Sequence, residues 1–362
     1  MTIWLTLQYL RGFAALAVVW LHSHVQLAKT SGLGPSTTTF GDFGVDLFFV
    51  LSGFIIWVTT DHERSRPLDF WRRRALRVVP LYWLCTFAMV ALLVAVPTLF
   101  QESHLDFWHI VQSLLFIPHS DPFQPDVTFP LLQVGWTLNY EMFFYASFGV
   151  ALLLRPTWRV TAMTAWLAVL VLSGALLSPK SALLATYTNP LLLEFMAGML
   201  IGYACKRVAQ TSLLFGYGLV FLAAATYVVL NHGLDITPMD WRALCWGLPA
   251  ALLVAGVVVI ERQTTIRRVA ALLLLGDASF AIYLSHPFTL GAAGWVWGRF
   301  ALETMLPDAA FIACALLICM LCGILLHLVF EKAFMGWLQK WSTEAAKQRR
   351  HLQGAEIPAG YS

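Results

Sequence analysis

Arg11 and His22 stand eleven residues apart in an otherwise apolar run, Leu7 to Leu27. In a helix that spacing is about three turns, which puts both side chains on one face roughly 16 Å apart along the axis. An ionisable group at mid-bilayer costs on the order of 2.5–3.5 kcal/mol, so it turns toward protein or a water-filled cavity. The pair therefore predicts a cavity with a guanidinium at one depth and an imidazole at another. A guanidinium grips anions through paired N–H donors, and an imidazole takes a proton from a hydroxyl.

Other polar residues fall at comparable depth in apolar runs. Asp46 lies near the outer end of its run, level with His22, where it serves either as a helix-start residue favoured by the macrodipole or as the partner that orients His22. Glu141 comes out roughly 10 Å inward from the outer side of its span. Glu194 and His286 are placed at similar levels, and Ser279, Tyr283 and His286 share a helical face, with Pro287 expected to bend that helix. The expectation is one polar layer in the outer half of the membrane, either a shared active chamber or a structural network. Ser52 reads with Gly44 and Gly53 as a small residue of close helix packing.

On the inner side lies an arginine run, Arg64, Arg66, Arg72, Arg73, Arg74 and Arg77. Topology and anionic headgroups alone account for a basic internal loop. Its being all arginine, at the mouth of the Arg11/His22 face, also suits bidentate contacts to phosphate.

The elements that must hold these groups are membrane helices. Of 362 residues 59% are hydrophobic and 12% charged, against roughly 25% charged in an average soluble domain. Ten apolar stretches have spanning length, near 7–28, 43–60, 79–98, 134–154, 158–178, 187–204, 212–231, 241–260, 270–292 and 309–331. The expected fold is an all-α polytopic membrane protein of about ten transmembrane helices. Arg155, Arg159, Lys206, Arg207, Arg262, Arg267, Arg268 and the tail cations fall on the side of the arginine run, whereas Lys29, Lys180, Arg242 and Arg299 fall opposite. That asymmetry predicts both termini in the cytoplasm. Residues 1–333 are expected to form the transmembrane domain and 334–362 a basic cytoplasmic tail. No basic n-region precedes Arg11, so the first segment is expected to be retained rather than cleaved.

The external stretch 99–133 has no Lys or Arg, an interfacial-helix pattern over Leu105 to Ile117, and then four prolines. It suits an acceptor lid with aromatic and acidic faces for a sugar. Its His104, His109, His119, Asp121 and Asp126 match no standard ligand spacing, and Cys319 and Cys322 have no partner at ligand spacing, so no metal is expected. There is no glycine-rich nucleotide loop, serine elbow or zinc-protease motif, and no nucleic-acid partner is expected.

Five ordered motifs carry a resemblance. They are Arg11 with His22, Gly44-Val45-Asp46-Leu47-Phe48-Phe49-Val50-Leu51-Ser52-Gly53-Phe54, the run ending Arg77-Val78-Val79-Pro80, Trp136-Thr137-Leu138-Asn139-Tyr140-Glu141-Met142-Phe143-Phe144-Tyr145, and Gly276-Asp277-Ala278-Ser279-Phe280-Ala281-Ile282-Tyr283-Leu284-Ser285-His286-Pro287. In that order the chain resembles the integral-membrane acyltransferase-3 family, most like its exopolysaccharide O-acetyltransferases. The resemblance implies a ten-span bundle in the bacterial inner membrane and a cytoplasmic acyl-CoA donor such as acetyl-CoA. It implies as acceptor a hydroxyl of a surface glycan or lipid-linked saccharide, within membrane lipid. It places the family's essential pair on Arg11 and His22, its Arg-x-x-Arg element on Arg74 and Arg77, and its motif glutamate on Glu141. Some relatives carry a C-terminal hydrolase-like domain, which this sequence does not show.

On this reading Arg73, Arg74 and Arg77 hold the nucleotide phosphates of CoA, and the pantetheine arm passes Arg11. His22 takes the proton of the attacking hydroxyl, and Glu141 or Asp46 fixes its tautomer. His286, Tyr283 and Glu194 bind the acceptor. No serine or cysteine stands out as a nucleophile, so direct transfer is favoured over an acyl-enzyme, with an acyl-His22 relay left open. The rival is a transporter or channel using an intramembrane Arg/His/Glu relay, against which stands the absence of inverted repeats.

Overall fold

Where lipid offers the backbone no hydrogen bonds, a long apolar run closes its own by coiling into a helix. The computed structural model describes residues 4–31, 41–60, 65–96, 105–208, 211–233, 241–334 and 336–337, and among these every regular element is helical. Arg64, His104, most of the first external loop, the middle of the Asn231 to Trp241 loop and the tail beyond residue 337 lie outside the described residues.

The helices in order are α1 (Leu5–Ser31), α2 (Asp42–Thr59), α3 (Pro67–Ala95), the short α4 (Phe107–Leu114) and α5 (Trp136–Ala151). There follow α6 (Pro156–Leu177), α7 (Ala182–Tyr187), α8 (Leu192–Arg207), α9 (Leu213–Val228) and α10 (Leu248–Gln263). The last three are α11 (Ala270–Asp277), α12 (Ser279–Arg299) and α13 (Asp308–Leu326). Among the described residues seven segments are long and apolar enough to cross a membrane, or eight if α11 and α12 form one bent span. Two runs counted as spans from sequence fall short of that measure. α5 has only 16 residues, and in α1 Gln8, Arg11, His22 and His24 dilute the apolarity.

Two boundaries differ from the sequence expectation. α3 begins at Pro67, so Arg72, Arg73, Arg74 and Arg77 ride on a helix that continues through Pro80, and Arg74 and Arg77 come to face the bundle. α12 runs on through Pro287, where a bend is expected from sequence, and a 67° break falls at Ala278, between α11 and α12. Proline lacks only one N–H, which a helix buried among neighbours tolerates, whereas Ala278 is where the chain changes axis.

α2 and α1 are the core of the bundle. α2 packs against α8 so closely that a Cβ on Gly198 would lie 1.9 Å from the Val50 carbonyl oxygen, and one on Gly53 2.1 Å from that of Phe195. Small residues are what allow membrane helices to approach like this. Around the crossing, Phe49, Phe144 and Phe195 stack with centroids 4.6 and 4.8 Å apart. α1 packs against α2, α11, α12 and α13, which puts its polar face inside protein.

Candidate active site

The inward faces of α1, α2, α3, α5 and α12 enclose a cavity with about 760 Å³ of atom-free space, its open mouth included. Its apolar wall includes Phe48, Phe49, Ile55, Val78 and Phe280, and its polar groups are Arg11, Ser52, Arg74, Arg77, Thr137, Glu141, Tyr145, Ser279 and Tyr283. A wider vestibule of about 2110 Å³ adjoins it, carrying Arg72, Arg73, Lys332, Asp69, Asp277 and Glu331. Arg11, Arg74 and Arg77 line both spaces and so form the neck between them. Among the described residues no carboxylate lies within ion-pair distance of these three guanidinium groups. Arg11 Nη1 donates to Gln8 Oε1 at 3.0 Å, and Arg74 Nη2 donates to Thr59 Oγ1 at 3.2 Å while its guanidinium sits over the Phe70 and Tyr145 rings. Neutral partners fix these cations in place and leave their charge available to an anion.

Glu141 lies in the wall of this cavity. Its Oε1 accepts from Ser52 Oγ at 2.9 Å and from the Tyr145 hydroxyl. The expected contact between Glu141 and His22 is not made. Sequence reading missed Ser52 as a site residue, because a serine beside a glycine on a membrane helix carries the same signal as a packing residue; Gly44 and Gly53 do pack, against Ala14 and Phe195.

His22 and His286 form a second cluster, with ring centroids 4.9 Å apart. His22 Nδ1 lies 2.9 Å from the Val18 carbonyl and His286 Nδ1 2.6 Å from that of Tyr283. A carbonyl oxygen only accepts, so both rings carry their proton on Nδ1 and present a lone pair at Nε2. His286 is fully buried, and its Nε2 has no hydrogen-bond partner among the described residues. The tautomer of His22 is thus set by its own helix, not by Asp46 or Glu141. Neither histidine lines the two cavities above. Tyr283 lines the first cavity and its ring lies 5.9 Å from that of His286; its hydroxyl donates to the Val134 carbonyl at 2.7 Å and accepts from Thr137 Oγ1 at 2.9 Å, with Phe48 edge-on to its ring.

Asp46 and Glu194 belong to a third cluster, so the polar residues expected at one depth do not line one shared chamber. Arg242, placed by the π-helical turn Ala243–Gly247, donates to Asp46 Oδ2 at 2.7 Å and to Asp42 Oδ1 at 3.3 Å. Its guanidinium lies between the rings of Trp136 and Trp246. Glu194, 2% exposed, sits beside Asp46. A Cβ on Gly247 would come within 2.8 Å of Glu194 Oε1, so a larger residue there would push the Glu194 side chain aside. Arg242 was read from sequence only as an external loop charge. Nothing in its local sequence signals the pairing, which joins residues about two hundred positions apart.

In the segment that follows α4's start, His119 Nδ1 donates to the Ile117 carbonyl at 2.7 Å, so its Nε2 accepts from His109 Nδ1 at 2.8 Å. Burial and the neighbouring His119 hold the His109 imidazole below its ordinary value. No group of three metal-ligating side chains occurs among the described residues.

Residues 4–328 match the family profile described as an acyltransferase domain. The chain belongs to the acyltransferase-3 family. It is an O-acyltransferase of that family, and the transporter reading falls. The chain is 37% identical over 270 residues to the exopolysaccharide production protein ExoZ of Rhizobium meliloti, covering 74% of this chain and 83% of that protein. It is 30% identical over 361 residues to the acyltransferase MdmB of Streptomyces mycarofaciens, 90% of each. A 161-residue stretch is 29% identical to the O-acetyltransferase OatA of Staphylococcus aureus, 40% of this chain and 24% of that protein. No solved structure matches.

Proposed function

We propose that this acyltransferase moves an acetyl or other short acyl group from cytoplasmic acyl-CoA to a hydroxyl of a bacterial exopolysaccharide or related surface glycan, from the inner membrane. The observation that carries the reading is the neck: three guanidinium groups with no carboxylate within ion-pair distance among the described residues, on the boundary between a wide charged vestibule and a narrow apolar-walled cavity. In the vestibule Arg72, Arg73, Arg74 and Arg77 take the nucleotide phosphates of CoA, while the cavity accepts the pantetheine arm and thioester. Arg11 closes the neck and stabilises negative charge developing on the thioester oxygen.

His22, with its free Nε2, receives the proton of the acceptor hydroxyl. The buried Nε2 of His286 beside it holds a second hydroxyl, and Tyr283 separates acceptor from donor until both are in place. Asp46 and Glu194 act at one remove, through the Arg242 clamp. The orientation is the one that puts the vestibule in the cytoplasm, with both termini there. α1 and α5 cross as the ninth and tenth spans, enclosed by the more apolar helices. The similarity to an exopolysaccharide production protein supports a polysaccharide acceptor.

The test is the extracellular polysaccharide of a deletion strain compared with its parent by mass spectrometry and NMR. We expect the deletion to lack one kind of O-acyl group that plasmid-borne wild type restores. Identical polymers from the two strains would overturn the assignment of acceptor.

A further inference from the structure

Ser52 Oγ opens onto the donor cavity and donates to Glu141 Oε1 at 2.9 Å. It is the one aliphatic hydroxyl in the described lining that is bonded to a carboxylate, and Arg11, Arg74 and Arg77 line the same space. A carboxylate that accepts a hydroxyl's hydrogen bond is placed to accept its proton. The acceptor-side histidines do not line this cavity, whereas Tyr283, which does, has its ring 5.9 Å from that of His286. A thioester in the cavity and a sugar hydroxyl at His22 are therefore not opposed in this structure, whereas the thioester and Ser52 share one wall.

We infer that Ser52 is an acyl carrier: it takes the acyl group from CoA and passes it to the acceptor in a second step. This rests on the acyl-CoA reading above. In the first step Ser52 Oγ bonds to the thioester carbonyl carbon, its proton goes to Glu141, and the C–S bond breaks. CoA leaves as the thiolate through the arginine neck and is protonated in the vestibule. In the second step, after Tyr283 moves aside, the acceptor oxygen bonds to the same carbonyl carbon and its proton goes to His22 Nε2. The Ser52 ester bond breaks, and Oγ regains its proton from Glu141. His22 returns its proton to water, so carrier, base and histidine end as they began. The Tyr145 hydroxyl, bonded to the same Oε1, positions Glu141 for both transfers.

The experiment uses the full chain in lipid nanodiscs with radiolabelled acetyl-CoA and no acceptor, followed by peptide mapping. We expect up to one acetyl group per chain, on the peptide containing Ser52, chased off by polysaccharide from the deletion strain. Ser52→Ala should remove the label and lower transfer at least ~10³-fold. Ser52→Cys should carry a thioester that neutral hydroxylamine cleaves. Equilibrium binding of CoA to wild type and Ser52→Ala, expected to be equal, separates the two ideas. If neither protein binds CoA, the donor reading fails and the carrier with it. If CoA binds and transfer proceeds while Ser52 stays unlabelled, or Ser52→Ala transfers at the wild-type rate, the carrier alone is overturned.

Discussion

His22 and His286 come from helices at opposite ends of the chain, yet their rings stand 4.9 Å apart, each with Nδ1 committed to a carbonyl of its own helix. Each neutral ring then presents its Nε2 lone pair, a group able to accept a hydroxyl proton. We expect His22→Ala to insert and fold normally but to lower acyl transfer about 10²–10⁴-fold, the usual contribution of a positioned general base. NMR of the purified polymer reads the outcome. Full acylation in that variant would remove His22 from the proton transfer.

The neck arginines should act on donor affinity. Arg77 lines both cavities, and no carboxylate lies within ion-pair distance of it among the described residues. Arg77→Ala is expected to weaken acetyl-CoA binding by about 10–100-fold, the worth of one charged hydrogen-bonded contact. Arg77→Lys should recover only part of this, because a point charge does not reproduce the two-pronged guanidinium. Titration calorimetry on purified protein measures both, and unchanged affinity in Arg77→Ala would place the phosphates elsewhere.

The Asp46–Arg242 pair is expected to matter for folding before chemistry. Removing one member of a buried ion pair costs about 3–5 kcal/mol, because the other charge is stranded. Arg242→Ala should therefore lower thermal stability in detergent sharply, and the double variant Asp46→Asn, Arg242→Gln should recover much of it. If instead Asp46→Asn left stability intact and abolished transfer, Asp46 would belong with the chemistry.

Titration should be visible in the segment around α4. A histidine held below its ordinary value in the folded state is stabilising while neutral, and that stability is lost as pH falls from the ordinary value of 6.5 toward the lowered one. The groups facing His109 are His119, Asp121 and Asp106; both carboxylates favour its charge, against burial and His119. Hydrogen-exchange protection of residues 106–131, corrected for the intrinsic pH dependence of amide exchange, should fall on acidification below about pH 6.5, and His109→Gln should flatten that response. Protection that does not change with pH in wild type would show that the pair does not stabilise the segment.

Much of the fold could be read from sequence because apolar runs of spanning length leave a membrane chain few alternatives to helix. α2, α6 and α9 fall within a few residues of their expected ends. The arginine helix was less legible, since a basic juxtamembrane run looks the same coiled or extended. The candidate site residues could be named one by one from type and depth, but depth does not tell which of several helices at one level touch. Glu141, His22 and Asp46 were placed in one layer, and helix rotation sends them to three different clusters. Ser52 and Arg242 were hidden for the same reason: their partners, Glu141 and Asp46, lie across the bundle.

The most direct test is release of free CoA by the purified protein given acetyl-CoA and polysaccharide from the deletion strain. We expect thiol release above background from wild type, lost when Arg74 and Arg77 are both changed to alanine in a protein that remains folded. No release above background from folded wild-type protein would contradict acyl transfer from CoA through the arginine neck.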